Sequence, residues 1–278
     1  MPKLGGPIGL EGQLIADFVA GGIQMRDQQQ DSHFVDAYGV DLRLPLFPQV
    51  AALGDRYFDW VHTPIRKATI RELTAWDQGR WPGSVRIFAA PWLEVMTHIS
   101  WKLVLAVWVP VIVGLLVAAR TVTGVGWQPL AGIWAGGVLL WTLIEYVLHR
   151  FFFHTAPRTS AGIKAHFLAH GIHHFDPFDA TRLVFPPLGG LGIALCIFLL
   201  LDIFMSTGAS MALMAGVLTG YLVYDISHYI SHHGIIRDPW FRYLHRYHKA
   251  HHHRDPDALF GVSNPLWDVV FRTGSEKF

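Results

Sequence analysis

Between residues 149 and 252 twelve of the thirteen histidines fall in tight groups. They read HRFFFH (His149, His154), HFLAHGIHH (His166, His170, His173, His174), HYISHH (His228, His232, His233) and YHKAHH (His248, His251, His252). On a helix, side chains three or four positions apart share a face. His166, His170, His173 and His174 therefore predict one stripe over two turns, and His228 with His232 and His248 with His251 and His252 predict others. The gap of five from His149 to His154 is looser, about a turn and a half. Imidazole is the commonest metal ligand among side chains. A lone histidine on a helix is usually just a satisfied polar residue, but twelve at helical spacing point to metal. They exceed the four ligands of one tetrahedral zinc, so two ions sharing an imidazole cage are expected. A long apolar run separates the second group from the third, so the fold must assemble the cage.

The elements that would do so are apolar. Of the 278 residues 51% are hydrophobic and 15% charged, and the mean hydropathy is +0.30. Four runs, about residues 101–119, 130–147, 188–204 and 209–226, lie near the lower length limit of a spanning helix. Pro110 inside the first is tolerable in a membrane helix that can repack locally. The expected fold class is an all-α integral membrane protein, four transmembrane helices capped by a helical histidine-rich domain. Residues 1–40 read as a polar tail, with no apolar signal-peptide core. Residues 41–100 read as a lead-in whose mixed aromatic and basic side chains suit either a membrane surface or a soluble cap. Within it, residues 84–100 predict an interfacial helix between Trp92 and Trp101. The formal net charge of +1 gives no argument for nucleic acid. The single cysteine, Cys196, excludes a disulfide framework or a cysteine-rich metal site.

Short links join the apolar runs into two hairpins, so each histidine group follows a span that returns to the same side. Arg120 is the basic residue of the opposite side. The histidine side carries Arg66, Lys67, Arg86, Lys102, Arg150, Lys164, Arg182, Arg237, Arg242 and Arg246, so the positive-inside rule puts the cage and both termini in the cytoplasm. Glu145 and Asp225 lie one turn before His149 and His228. A carboxylate at that depth needs a partner. The expected one is the free N–H of a metal-bound imidazole, the alternative being a side chain that reaches the headgroups.

The stretches WTLIEYVLHRFFFH, HFLAHGIHHFDPFDATRLVFPP, GYLVYDISHYISHH, YHKAHH and FGVSNPLWDVVF resemble the fatty acid 2-hydroxylases, members of the membrane histidine-box hydroxylases and desaturases. The lead-in DLRLPLFPQVAALGDRYFDWVHTPIRK extends the resemblance to about residues 41–278. It implies a four-span enzyme with a dinuclear iron centre, which uses O2 and two electrons to hydroxylate the carbon next to the carboxyl of a long-chain acyl group. It implies that the twelve histidines are the box residues, most of them metal ligands, while His245 and His253 fall outside the matched positions. Many eukaryotic members carry an N-terminal haem domain that delivers electrons. Here the expectation is a separate electron-donor protein. The family's usual sphingolipid carrier is not assumed.

The chemistry agrees with the resemblance. Breaking an unactivated C–H bond needs a redox-active metal, which zinc is not, although zinc readily replaces iron in imidazole sites. An acyl substrate dissolved in the bilayer explains a site at the ends of spans, and Phe151, Phe152 and Phe153 are placed to face the acyl chain or lipid. Within the same chemistry, desaturation or sterol-type oxidation is the rival. A metal transporter needs polar ligands near the bilayer midplane, and a purely structural membrane protein leaves the histidines without a use.

Overall fold

The computed structural model describes residues 33–77, 81, 83–276 and 278. The expected polar tail thus lies outside the described residues up to residue 32. Residues 33–40 are packed: Phe34 and Val40 are buried, and a single antiparallel bridge joins Val35 to Asp41. The described residues are otherwise helical or irregular. The lead-in contains α1 (Leu46–Val50), α2 (Tyr57–Val61), α3 (Lys67–Trp76) and α4 (Pro91–Met96). Its apolar side chains, among them Trp60, Val61 and Leu73, share one core with Ile163, Phe167, Ile172 and Phe175 of the first histidine segment. The helix expected over 84–100 forms only over α4. Residues 84–90 form no helix because other groups take their backbone: Leu46 and Phe47 N–H donate to the Arg86 and Ile87 carbonyls, and Ile87 and Phe88 N–H donate to Glu94.

Among the described residues, four helices are long and apolar enough to cross a membrane: α5 (Trp101–Thr123), α6 (Trp127–Val147), α9 (Pro187–Phe204) and α10 (Thr207–His233). They match the four apolar runs, and α10 extends seven residues past the expected end. At about 1.5 Å per residue α10 is about 40 Å long, more than the hydrocarbon thickness of about 30 Å, so its histidine end clears the apolar layer. Ser100 caps α5 by accepting from Lys102 N–H, and Gly124, with φ 65°, ends it. Large apolar side chains of α9, including Leu188, Ile203 and Phe204, are exposed, as is Cys196. A surface of that character belongs against lipid.

α10 is the most buried span. A Cβ on Gly216 would lie 2.0 Å from the Trp134 carbonyl, and one on Gly137 2.2 Å from that of Leu213. Both positions must be glycine for α6 and α10 to touch backbone to backbone, the small-residue packing typical of membrane helices. That contact aligns the two helix ends that carry histidine. Between the hairpins lie α7 (Ser160–His166) and α8 (Ile172–Phe175), and after α10 come α11 (Pro239–His253) and α12 (Leu266–Phe271).

Candidate metal centre

Two π-helical turns aim the first histidines. The turn Leu148–Phe153 continues α6, and the His154 N–H bonds to the His149 carbonyl five residues back. A gap of five is therefore one π turn, and His149 and His154 face the same way, their ring centroids 4.9 Å apart. A second π turn, Phe167–Gly171, separates α7 from α8. It rotates His166 off the stripe that a continuous α-helix would have made with His170 and His173. Such turns recur at functional sites.

Nine imidazoles converge in two groups, within each of which one ring nitrogen per residue lies within 4.8 Å of all the others. The first holds His173, His228, His232, His248 and His252, and the second His149, His154, His170 and His174. His251 borders the second, its Nε2 3.0 Å from that of His154. The paired histidines divide between the groups because neighbours on a helix point about 100° apart. His173 and His252 join the first group while His174 and His251 lie with the second.

The donor set fits metal. In the first group the Nε2 atoms of His228 and His173, His173 and His252, His252 and His248, and His248 and His232 are each 2.9 Å apart. In the second, those of His170 and His174 are 2.9 Å apart. Nitrogens held about 2.1 Å from one ion at right angles would be about 3 Å apart. Burial, reinforced by neighbouring imidazoles, holds His170, His173, His174, His248, His251 and His252 well below the usual histidine pKa. The rings are thus neutral and offer lone pairs. His149 shows the orientation directly. Its Nδ1–H donates to the Phe260 carbonyl at 2.5 Å, and its buried Nε2 has no protein partner.

Two expected ligands stand apart. His166 donates from Nε2 to the Phe153 carbonyl (2.6 Å) and accepts at Nδ1 from the Tyr57 hydroxyl (2.7 Å). Both nitrogens are occupied, so it ties the lead-in to the first π turn. His233, one position beyond His232, faces the Tyr229 side of α10. His245 bonds the Ser231 carbonyl and His253 is exposed.

Glu145 and Asp225 correct the expectation made for them, since neither bonds an imidazole. Glu145 accepts from Val262 N–H, Ser263 N–H and the Ser263 hydroxyl. Asp225 accepts from Phe185 N–H and the Tyr221 hydroxyl. Backbone donors brought in by residues distant in sequence reach these carboxylates first. Asp268, which sequence reasoning passed over, accepts from Phe260 N–H, Gly261 N–H and the Thr273 hydroxyl. Glu145 and Asp268 thus clamp the loop 258–264. The Phe260 and Ala258 carbonyls of that loop accept from His149 and His251. Leu259 between them has φ 62°, a conformation a leucine holds only where its surroundings impose it. The carboxylates orient the imidazoles through this loop.

His62 was also missed. Its Nδ1–H donates to Phe58 O (2.8 Å), its Nε2 is buried without a partner, and its ring packs 4.7 Å from His174 and 5.4 Å from His154. A histidine alone in its segment carries no spacing signal.

The fatty acid hydroxylase family model matches residues 134–273. Over 238 residues the chain is 37% identical to a dihydroceramide fatty acyl 2-hydroxylase of Arabidopsis thaliana, covering 86% of this chain and 94% of that one. The chain belongs to the fatty acid hydroxylase family. This hydroxylase is also 32% identical over 254 residues to the fatty acid 2-hydroxylase of Homo sapiens, covering 84% of this chain and 64% of the human protein. Among solved structures it superposes with TM-score 0.74 on full-length scs7p, of which only the hydroxylase domain is visible, at 32% identity and 86% coverage of both chains. The hydroxylase is an integral membrane enzyme whose histidine clusters can hold metal.

Proposed function

We propose that the hydroxylase inserts one oxygen atom of O2 at carbon 2 of a long-chain fatty acyl group, at a dinuclear iron centre held by its two imidazole groups. The observation that carries this is the pair of adjacent, buried, carboxylate-free imidazole groups at the ends of membrane spans. Relatives named as fatty acyl 2-hydroxylases support the choice of carbon. Bound there, two irons supply O2 activation. The chain's own residues do the rest: the clamped loop fixes the His149 and His251 tautomers, burial keeps the rings neutral, and Phe153, stacked on His170 at 4.6 Å, excludes water from one flank. Carbon 2 lies beside the polar carboxyl or amide, at headgroup level, so a centre just above the hydrocarbon reaches it with little withdrawal of the chain from the bilayer. Phe151 and Phe152 are exposed beside the first ligands and suit contact with acyl chains. The basic asymmetry between the two ends supports a cytoplasmic centre. Two electrons come from a separate donor protein.

The test supplies iron-loaded enzyme in lipid with a saturated fatty acid or ceramide, a reductase system and labelled O2, followed by mass spectrometry. Labelled hydroxyl at carbon 2 is expected. A double bond without label would reassign the enzyme as a desaturase, and a hydroxyl elsewhere would refute the regiochemistry.

A further inference from the structure

The outer face of α11 is a row of unpaired cations directly behind the metal ligands. Arg242, Arg246, Lys249 and His253 are exposed. At 100° per residue they fall within about 60° of arc, opposite the buried Leu244, Tyr247, His248 and His251. Among the described residues, the ion pairs involve other side chains and leave Arg242, Arg246 and Lys249 without an anionic partner. The carboxylate just before the row, Asp238, is engaged in capping α11 through Trp240 and Phe241 N–H, and Asp255, just beyond the row, accepts from the Ser275 hydroxyl. At the end of the row the exposed His253 ring lies 6.0 Å, centroid to centroid, from His252, a member of the first imidazole group. One helix thus carries a cationic face and, one ring contact away, the candidate metal centre.

Hydroxylation has a demand that this placement answers. The balance is RH + O2 + 2 e⁻ + 2 H⁺ → ROH + H2O. Side chains of the described residues provide no two-electron reductant, since the one cysteine is at the lipid-facing surface of α9. We propose that the α11 cation row, with His253 at its end, is the docking surface for an acidic one-electron carrier protein. Two molecules of the reduced carrier are each oxidised by one electron per turnover. The inference rests on the proposed redox metal centre. A bilayer is the less suitable occupant, because a helix that lies on lipid inserts its apolar face, and that face of α11 is buried against the cage. Of the exposed large apolar side chains at this end of the molecule, Trp240 sits in the first turn of α11, about 150° round the helix from the cation row, and Trp92, Val95 and Met96 of α4 and Val269 and Val270 of α12 belong to other elements. Electron-transfer encounters are small and electrostatically guided, which suits a single exposed helix face.

The experiment uses iron-loaded full-length enzyme in nanodiscs and follows anaerobic reduction of the iron by stopped flow. The probe is reduced plant-type ferredoxin, an acidic one-electron carrier, and photoreduced deazaflavin serves as a small reductant that needs no docking. The variant Arg242→Glu/Arg246→Glu/Lys249→Glu is compared with Arg66→Glu/Arg71→Glu/Arg158→Glu, which changes net charge equally on other surfaces. Iron content is measured in each. The α11 triple variant is expected to keep its iron and its deazaflavin rate while its second-order rate with ferredoxin falls at least about tenfold at low salt. That difference should vanish near 1 M salt, where screening is complete within about 3 Å. Equal ferredoxin rates for wild type and the α11 variant, an equal fall in the control triple variant, or an effect that follows the anionic lipid content of the disc would each overturn the proposal. Iron that deazaflavin cannot reduce in wild type would instead count against the redox centre itself.

Discussion

His173 is the residue on which the first imidazole group turns, its Nε2 lying 2.9 Å from those of both His228 and His252. His173→Ala is expected to lower bound metal by at least one ion per chain and to abolish turnover. His166→Phe is expected to retain both ions, because the two nitrogens of His166 are taken by Phe153 and Tyr57. Elemental analysis of the purified variants checks both, and equal metal loss in the two would place His166 among the ligands. Gly261 is a second decisive position. A Cβ there would lie 2.0 Å from the Asn264 carbonyl and 2.9 Å from Asp268 Oδ2. Gly261→Ala is expected to displace the loop whose carbonyls hold His149 and His251. Metal affinity should then fall by about ten- to a hundredfold, as when partners of ligating imidazoles are lost, and chelator competition measures it. Wild-type affinity in this variant would show that the loop does not orient the imidazoles.

At the scale of elements, the lead-in is fastened to the segment before α9 by one buried arginine. Arg182 donates to Glu94, the Ser84 hydroxyl, the Val85 carbonyl and the Thr97 hydroxyl, and contacts His98 Nε2. Asp179 accepts from the same Ser84 hydroxyl. Burial by itself would raise the Glu94 carboxyl, but hydrogen bonding to His98, the Arg182 charge and the Phe88 N–H outweigh it and pull the pKa down to about 2 from 4.5. A depressed carboxylate contributes stability that is full above its unfolded pKa and lost as pH falls through the folded one. The lead-in is therefore expected to stay docked to pH 4.5 and to loosen between pH 4.5 and about 2, which limited proteolysis after acid exposure would detect. Glu94→Gln should remove that pH dependence. Arg182→Ala leaves the buried Asp179 and the half-buried Glu94 without their cation, a change that costs up to about 3–5 kcal/mol. It should lower the thermal midpoint in detergent, whereas an unchanged midpoint would deny the clasp a stabilising role.

For the whole molecule, the paired hairpins put the 124–126 and 205–206 links at the end opposite the metal centre. A cysteine at Val125 in a Cys196→Ser background is expected to react with an impermeant thiol reagent from the side opposite the histidines. A cysteine at the exposed Ile235, just beyond α10, should react from the histidine side. Labelling of both positions from one side would refute the four-span arrangement.

The spans and the capacity of the histidines to hold metal were legible in the linear chain because both are local properties. Apolar runs of membrane length need no partner to be recognised, and three- and four-residue spacing is a property of one helix. The paired histidines of the second and fourth groups could be seen, but not that adjacent members serve different groups, since that depends on which neighbouring element each ring meets. Neither π turn was visible, because such a turn inserts a residue into the helical repeat only where tertiary contacts stabilise it. For that reason the five-residue gap between His149 and His154 looked loose and His166 looked like a ligand. Glu145 and Asp225 lay one turn from histidines and were read through that neighbourhood, yet their partners come from residues as far as Ser263 and Phe185. Carboxylates go to the nearest unsatisfied buried donors, and only the folded chain determines which backbone arrives there.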